Sequence, residues 1–367
     1  MKDTVDKNSI DGFLSLVRLG INNATSSEPK EINWMVVQKL ASEQGLSAIV
    51  LDGIDRLSES NRPPKEMTLQ WIGEVLQDYE HRYELYRQAI VNLTGLYNGH
   101  GFKMMVLKGY ATSLTWPKPS HRPCGDIDIW LFGKQKEADE IIARETGIKV
   151  DTSHHHHTVF NWRDFTVENH YDFVNVYAHK SSEKLEKLLK ELGADDSYFV
   201  EMNDASTGSA TKVYLPSPNL HALFLLRHSA NHFASEVITL RNILDWAFHI
   251  KAYSDVIDWE WLEQQISEFG MSKFYDCIKA ICVDDLGFDT NLFPSIQYNP
   301  ELKDKVLMEI LFPKFGSELP NSLIPRIHYK IRRWRENGWK HALCFNETRA
   351  SSFFNSVWAH MLKPNTI

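Results

Sequence analysis

The sequence predicts an α/β (α+β) protein, a small mixed sheet flanked by N-terminal and C-terminal helical regions. Three observations predict it. Residues 10–98 carry apolar side chains at three-to-four spacing, the period of a helix lying on a core. Between 103 and 174, short apolar runs alternate with an amphipathic segment, which suits a mixed sheet with helices packed on it. From 216 onward the three-to-four spacing returns. The expected divisions are therefore 1–100, helical; 101–215, the sheet-bearing core; and 216–367, helical.

In the first region IDGFLSLVRLGI, INWMVVQKLASEQGL and the long stretch EMTLQWIGEVLQDYEHRYELYRQAIVNLTGLYNGHG read as helices. Asn61-Arg62-Pro63-Pro64 breaks the pattern, and His100-Gly101 closes the last helix with a glycine cap. No chemistry is evident in this block.

The stretch KMMVLKGYATSLTWPKPSHRPCGDIDIWL (103–131) reads as strand, glycine turn, short helix, proline-rich loop and second strand. Side chains alternate along a strand, so Asp126 and Asp128 share one face and Ile127 and Ile129 the other. Like charges this close disfavour each other's ionised form. A hard divalent cation such as Mg²⁺ removes that conflict and gathers substrate phosphates as well. The plain alternative is a strand end with two solvated aspartates. Upstream, the apolar run Met104–Leu107 ends in Lys108-Gly109, and a glycine there lets backbone N–H groups approach a phosphate.

KQKEADEIIARET (134–146) reads as a helix stopped at Gly147, followed by strands at 148–151, 156–162 and 165–174. On the last of these, Glu168, His170 and Asp172 share a face. The run His154–His157 stands between strands; its members alternate faces, so at most two share a metal. It reads as a polar strand start, or as a contact to phosphate or substrate. A helix (181–193) and a hairpin lead to Pro216-Ser217-Pro218-Asn219 and the helix at 220–233, where His228 and His232 lie four apart. Ser229 breaks the H-E-x-x-H zinc pattern, and a polar helix face lining a cleft is the simpler reading. In LRNILDWAFHI, Arg241 and Asp245 have the i,i+4 spacing of an ion pair. Further helices follow, including 324–345 and SSFFNSVWAHML. PRIHYKIRRWRENGWKHA is locally basic and aromatic, a pattern seen at membrane surfaces or RNA contacts, but a solvated face is the simpler expectation in an acidic chain.

The 367 residues are 43% hydrophobic and 24% charged with net charge −8, a balance that argues against broad nucleic-acid binding. The first residues lack the apolar core of a signal peptide, and no run approaches the ~20 apolar residues of a membrane span. Cys124, Cys277, Cys282 and Cys344 show no metal or disulfide spacing and read as reduced thiols in a cytoplasmic protein.

Over roughly residues 30–250 the chain resembles the family described as uncharacterised nucleotidyltransferases, of the superfamily that includes DNA polymerase beta. The resemblance lies in Leu107-Lys108-Gly109, in R-x-x-G-D-I-D at 122–128, in Glu168-Asn169-His170, and in the H-x-x-x-H helix followed by L-R-x-x-L-D. It implies transfer of an NMP group from an NTP co-substrate to a hydroxyl on an unknown acceptor: small molecule, sugar, peptide or protein. It implies Mg²⁺, or Mn²⁺ in its place, on Asp126, Asp128 and Glu168, with Asp172 a second choice for the third carboxylate. Lys108, Gly109, Arg122 and Gly125 would hold the nucleotide, and His157, His170, His228, His232, Arg241 and Asp245 would line the substrate cleft. The wider superfamily has a small residue after the glycine, where this chain has Tyr110. That departure keeps open an inactive module that binds a nucleotide or a partner.

Overall fold

The computed structural model describes residues 6–21, 28–29, 32–154, 156–176, 179–204, 208, 210–316, 320 and 322–351. The chain divides into two compact units: Met1–His81, Thr115–Pro123 and Leu225–Phe345 form one, and Arg82–Leu114, Cys124–Phe224 and Asn346–Ile367 the other.

The six strands among the described residues lie in the second unit: β1 (Met105–Val106), β2 (Ile127–Trp130), β3 (His157–Trp162), β4 (Phe165–His170), β5 (Phe199–Asn203) and β6 (Ala210–Tyr214). They form one mixed sheet in the order β3-β4-β2-β1-β6-β5. β2 runs parallel to β4 and β1 parallel to β6, while β1–β2, β3–β4 and β5–β6 are antiparallel. The isoleucines of β2 and Val167 of β4 are buried in a cluster with Tyr86, Ile90 and Leu93 of the helix Arg82–Gly99. The last part of the expected N-terminal helical region thus packs in the sheet's own core. The amphipathic helix at Gln135–Thr146 ends at Gly147, which takes the left-handed conformation (φ 71°) that glycine adopts without strain.

Two strand expectations need correction. Of 148–151 only an isolated bridge, Asp151 to Val159, forms. The strand expected at 165–174 stops at His170, because the amides of Tyr171 and Asp172 both donate to the His156 carbonyl at 3.1 Å and turn the chain out of the ladder. Asp172 therefore leaves the strand face on which alternation would place it, and its carboxylate meets Lys190 at 2.5 Å.

The first unit is helical. Helices at Lys7–Gly20 and Ser47–Ile54 pack backbone to backbone: a Cβ on Gly20 would fall 1.9 Å from the Ile49 carbonyl oxygen, and one on Gly53 2.1 Å from that of Leu16. Any larger residue at either point would force the pair apart. The helix Lys65–Glu74 continues through a π-helical turn, Val75–His81, into the helix that begins at Arg82. The helix Leu240–Tyr253 and further helices between Trp259 and Cys344 complete this unit. The helix expected at 351–362 lies almost wholly outside the described residues. No helix among the described residues is long and apolar enough to cross a membrane.

Candidate active site

The parallel pairing of β2 and β4 brings two carboxylates together. In that register Asp128 stands opposite Glu168, Ile129 opposite Asn169, and Trp130 opposite His170. Because Ile127 and Ile129 are drawn into the core, Asp128 must project from the other face. There the Lys108 ammonium lies 2.7 Å from Asp128 Oδ1, and His170 Nε2 lies 2.9 Å from the same oxygen and 3.4 Å from Glu168 Oε2. His157 Nε2 approaches Glu168 Oε1 at 3.9 Å. The Asp128 side chain is 2% exposed and that of Glu168 25%, so the pair runs from a buried floor toward an open edge.

Gly109 follows Lys108 with φ 55°, a conformation open to glycine at little cost. It also packs too tightly for any side chain, since a Cβ would sit 2.2 Å from the Tyr86 hydroxyl oxygen. That hydroxyl donates to the Asp126 carbonyl oxygen at 2.7 Å. Tyr86 thus reaches from its helix to the first aspartate of the D-x-D pair. Its helical periodicity marks it as core and carries no sign of this contact. Gly125 is exposed, and a Cβ there would meet nothing within 4 Å, so packing does not require a glycine at that point.

Charge organises these groups. Asp126 stands just ahead of β2, its residue open to solvent but its carboxyl partly desolvated, and that carboxyl is pushed above its usual range, first by the charge of Asp128 and then by the desolvation, against the pull of Lys108. Burial works against ionisation of Asp128, yet Lys108 and His170 overcome it and hold its carboxyl far below the usual range. Glu168 is likewise lowered, burial being outweighed by the His170 hydrogen bond. Burial opposes the charge on His170, but its bonds to Asp128 and Glu168 raise its pKa to about 9. The His170 Nδ1 faces the Asp172 carbonyl oxygen at 3.3 Å, so both ring nitrogens meet oxygen atoms, which favours the charged ring. His156 and His157 go the other way, pushed by burial to about 2 and about 4.

The remaining predicted residues lie in the helical unit. Arg122 grips Asp245 with two parallel bonds, Nε to Oδ1 at 2.8 Å and Nη2 to Oδ2 at 2.9 Å, and its Nη1 donates to the Pro123 carbonyl at 3.1 Å. Trp116 Nε1 adds a bond to Asp245 Oδ1 at 2.9 Å. A buried guanidinium engaged this way serves the packing of the 115–123 segment, whereas the sequence assigns it to phosphate. The His228 and His232 rings are 4.4 Å apart between centroids, and His232 Nδ1 meets Glu236 at 3.0 Å. Arg241 packs against Gly45. The strand alternation expected through the histidine run does not hold at its end: His156 precedes β3, and it joins His157 and His170 in one cluster. His155 lies outside the described residues.

The residues at the sheet fit a divalent cation. Asp128, Glu168 and His170 each bring a ligand atom within 4.8 Å of the others; Asp126, expected as a ligand from the sequence, is not in that group and bears on it through its charge. Three carboxylates against two cationic side chains leave a negative excess, felt in the upward shift of Asp126. An all-oxygen carboxylate set is what a hard cation prefers.

A mixed sheet that carries a glycine turn and carboxylates on adjacent parallel strands is the frame of a nucleotidyltransferase-like protein. Residues 30–285 match the family described as uncharacterised nucleotidyltransferase, and the chain belongs to that family. Among solved structures it is similar to an antigenic nucleotidyltransferase-like protein from Paracoccidioides brasiliensis, at 12% identity and TM-score 0.31, over 45% of this chain and 75% of that one. A search of curated proteins found no match.

Proposed function

We propose that the protein is a Mg²⁺-dependent nucleotidyltransferase that moves an NMP group from an NTP to a hydroxyl-bearing acceptor. The observation that supports this most is Glu168 opposite Asp128, with Lys108 2.7 Å from the Asp128 carboxylate. Asp126, Asp128 and Glu168 would hold the cation. When bound, it would neutralise phosphate charge and lower the pKa of the acceptor hydroxyl.

Phosphoryl transfer needs mainly positioning and charge stabilisation, and the chain's own groups suit both. Lys108 is a compact cation at the mouth of the glycine turn, suited to a phosphate oxygen. Gly125 leaves open space beside Asp126 for an incoming ligand. The partly exposed carboxylate of Glu168 suits it to take the acceptor proton. His170, charged and tied to both carboxylates, keeps them in one geometry as a positioning residue. Arg122, held by Asp245, is a structural anchor in this scheme.

The test is pyrophosphate release from ATP, CTP, GTP and UTP with Mg²⁺ and a panel of hydroxyl acceptors. Release that is lost in Glu168→Gln is the expected result. Turnover undiminished in Glu168→Gln and in Asp126→Asn/Asp128→Asn would end the proposal. Nucleotide binding by calorimetry with no turnover on any acceptor would instead favour the second reading, a binding module, which Tyr110 in place of a small residue keeps in view.

A further inference from the structure

Beside the carboxylates lies a second donor set of different chemistry. His156, His157 and His170 each bring one ring nitrogen within 4.8 Å of the others. Their ring centroids are 4.3 Å apart for His156 and His157, 5.2 Å for His157 and His170, and 5.8 Å for His156 and His170. The backbone fixes this grouping. His157 and His170 are directly opposed in the β3–β4 register. His156 stands just before the strand, and its carbonyl takes the amides of both Tyr171 and Asp172. Freed from strand alternation, its ring stays with that of its neighbour.

An independent observation concerns unused capacity. The Nδ1 atoms of His156 and His157 are buried without a hydrogen-bond partner, and His157 as a whole is only 7% exposed. Native proteins rarely leave buried polar atoms unpaired, and each such case calls for a ligand, a water or an ion. Other buried polar atoms of the second unit also lack a partner, Tyr97 Oη and Trp130 Nε1 among them, but here the lack falls on two neighbouring imidazoles that face a third.

The geometry points to a binding site for a borderline-soft divalent transition metal ion, of the Zn²⁺ kind, on His156, His157 and His170, where the ion takes the place of the proton on one His170 nitrogen and releases it to solvent. Imidazole donors suit Zn²⁺, Cu²⁺, Fe²⁺ and Ni²⁺, whereas Mg²⁺ and Mn²⁺ seek carboxylate and water oxygen. Three protein ligands leave zinc a fourth position for a water or a substrate oxygen. Donor chemistry would thus sort two kinds of ion onto neighbouring positions, with His170 next to both. The inference does not rest on nucleotidyl transfer, since it needs neither nucleotide nor turnover, and the two can fail separately.

The test uses the full chain, stripped with a chelator and titrated with Zn²⁺ by calorimetry and with Co²⁺ by visible absorption. One saturable equivalent with nitrogen-ligand Co²⁺ bands is expected. His156→Ala/His157→Ala should weaken binding by more than the roughly 10- to 100-fold that losing an outer-shell partner costs. His232→Ala, on the other histidine pair, and Asp126→Asn should leave the affinity unchanged. His156→Gln, at a partly exposed position outside the strand, guards against misfolding and should on its own weaken Co²⁺ binding with an unchanged melting temperature. Absence of saturable binding, or unaltered affinity in the histidine variants, or an equal loss in Asp126→Asn, overturns the assignment.

Discussion

Glu168 of β4 stands directly across from Asp128 of β2, and the Asp128 carboxylate takes the Lys108 ammonium at 2.7 Å and His170 Nε2 at 2.9 Å. The arrangement follows from one parallel pairing and one alternation. The isoleucines of β2 fill the core, so Asp128 must face the other way, and β4 supplies its polar face alongside. Two buried cations and a cluster of carboxylates then depend on one another for their charge states.

The dependence predicts a stability effect. Removing one partner of a buried ionic group strands the other and costs about 3–5 kcal/mol. Asp128→Ala leaves Lys108 and His170 facing each other with their shared acceptor gone. Urea denaturation should show a loss of that size, and Lys108→Met in the same background should recover part of it by removing one stranded charge. A loss below about 1 kcal/mol, the range of an exposed pair, would mean that the cluster is solvated.

A second prediction concerns Gly109 and Tyr86. Gly109→Ala places a methyl group 2.2 Å from the Tyr86 hydroxyl oxygen at a backbone φ of 55°. Tyr86→Phe removes that oxygen along with its bond to the Asp126 carbonyl, a change worth about 0.5–1.5 kcal/mol. In a double-mutant cycle Gly109→Ala should therefore cost less in the Tyr86→Phe background than in the wild type, because the 2.2 Å contact is gone and only a milder 3.2 Å approach to the ring carbon Cζ and the backbone strain remain. Strict additivity of the two unfolding free energies would show that the close approach is absent in solution.

His121 gives the pH dependence. Its ring is buried between Asp52, 2.6 Å from Nδ1, and Glu80, 3.0 Å from Nε2, and Lys118 also pairs with Asp52. Burial disfavours its charge, but the bonds to Asp52 and Glu80 win and raise its pKa. With the folded value above the unfolded ~6.5, the contribution is whole below about pH 6.5 and is lost as pH rises through the folded pKa. Chemical denaturation of wild type and His121→Gln across that range should show the stability gap between them shrink as pH increases. A gap that is constant or grows with pH would contradict the assignment.

Much of this was legible because strand alternation and helix periodicity are local. The acidic pair at 126 and 128, the glutamate at 168, the strand over 157–162, expected one residue earlier, and the stop at Gly147 all follow from short patterns. The contacts that set the site's chemistry are long-range: Tyr86 crosses 40 residues to Asp126, and Arg122 crosses 123 to Asp245. No short motif marks a core tyrosine as the partner of a distant carbonyl. Arg122 misled for the same reason, since a bidentate donor beside a D-x-D strand suits a phosphate and a buried carboxylate equally well. The histidine run misled because one residue lies outside the strand, where alternation no longer applies.

The most direct test of the central claim is anomalous scattering from Mn²⁺ in crystals of the protein soaked with a non-hydrolysable NTP. A manganese peak bridging Asp128 and Glu168, with nucleotide phosphate oxygens completing its shell, is the predicted result. A manganese peak that avoids both carboxylates, or a nucleotide bound away from them, would contradict it.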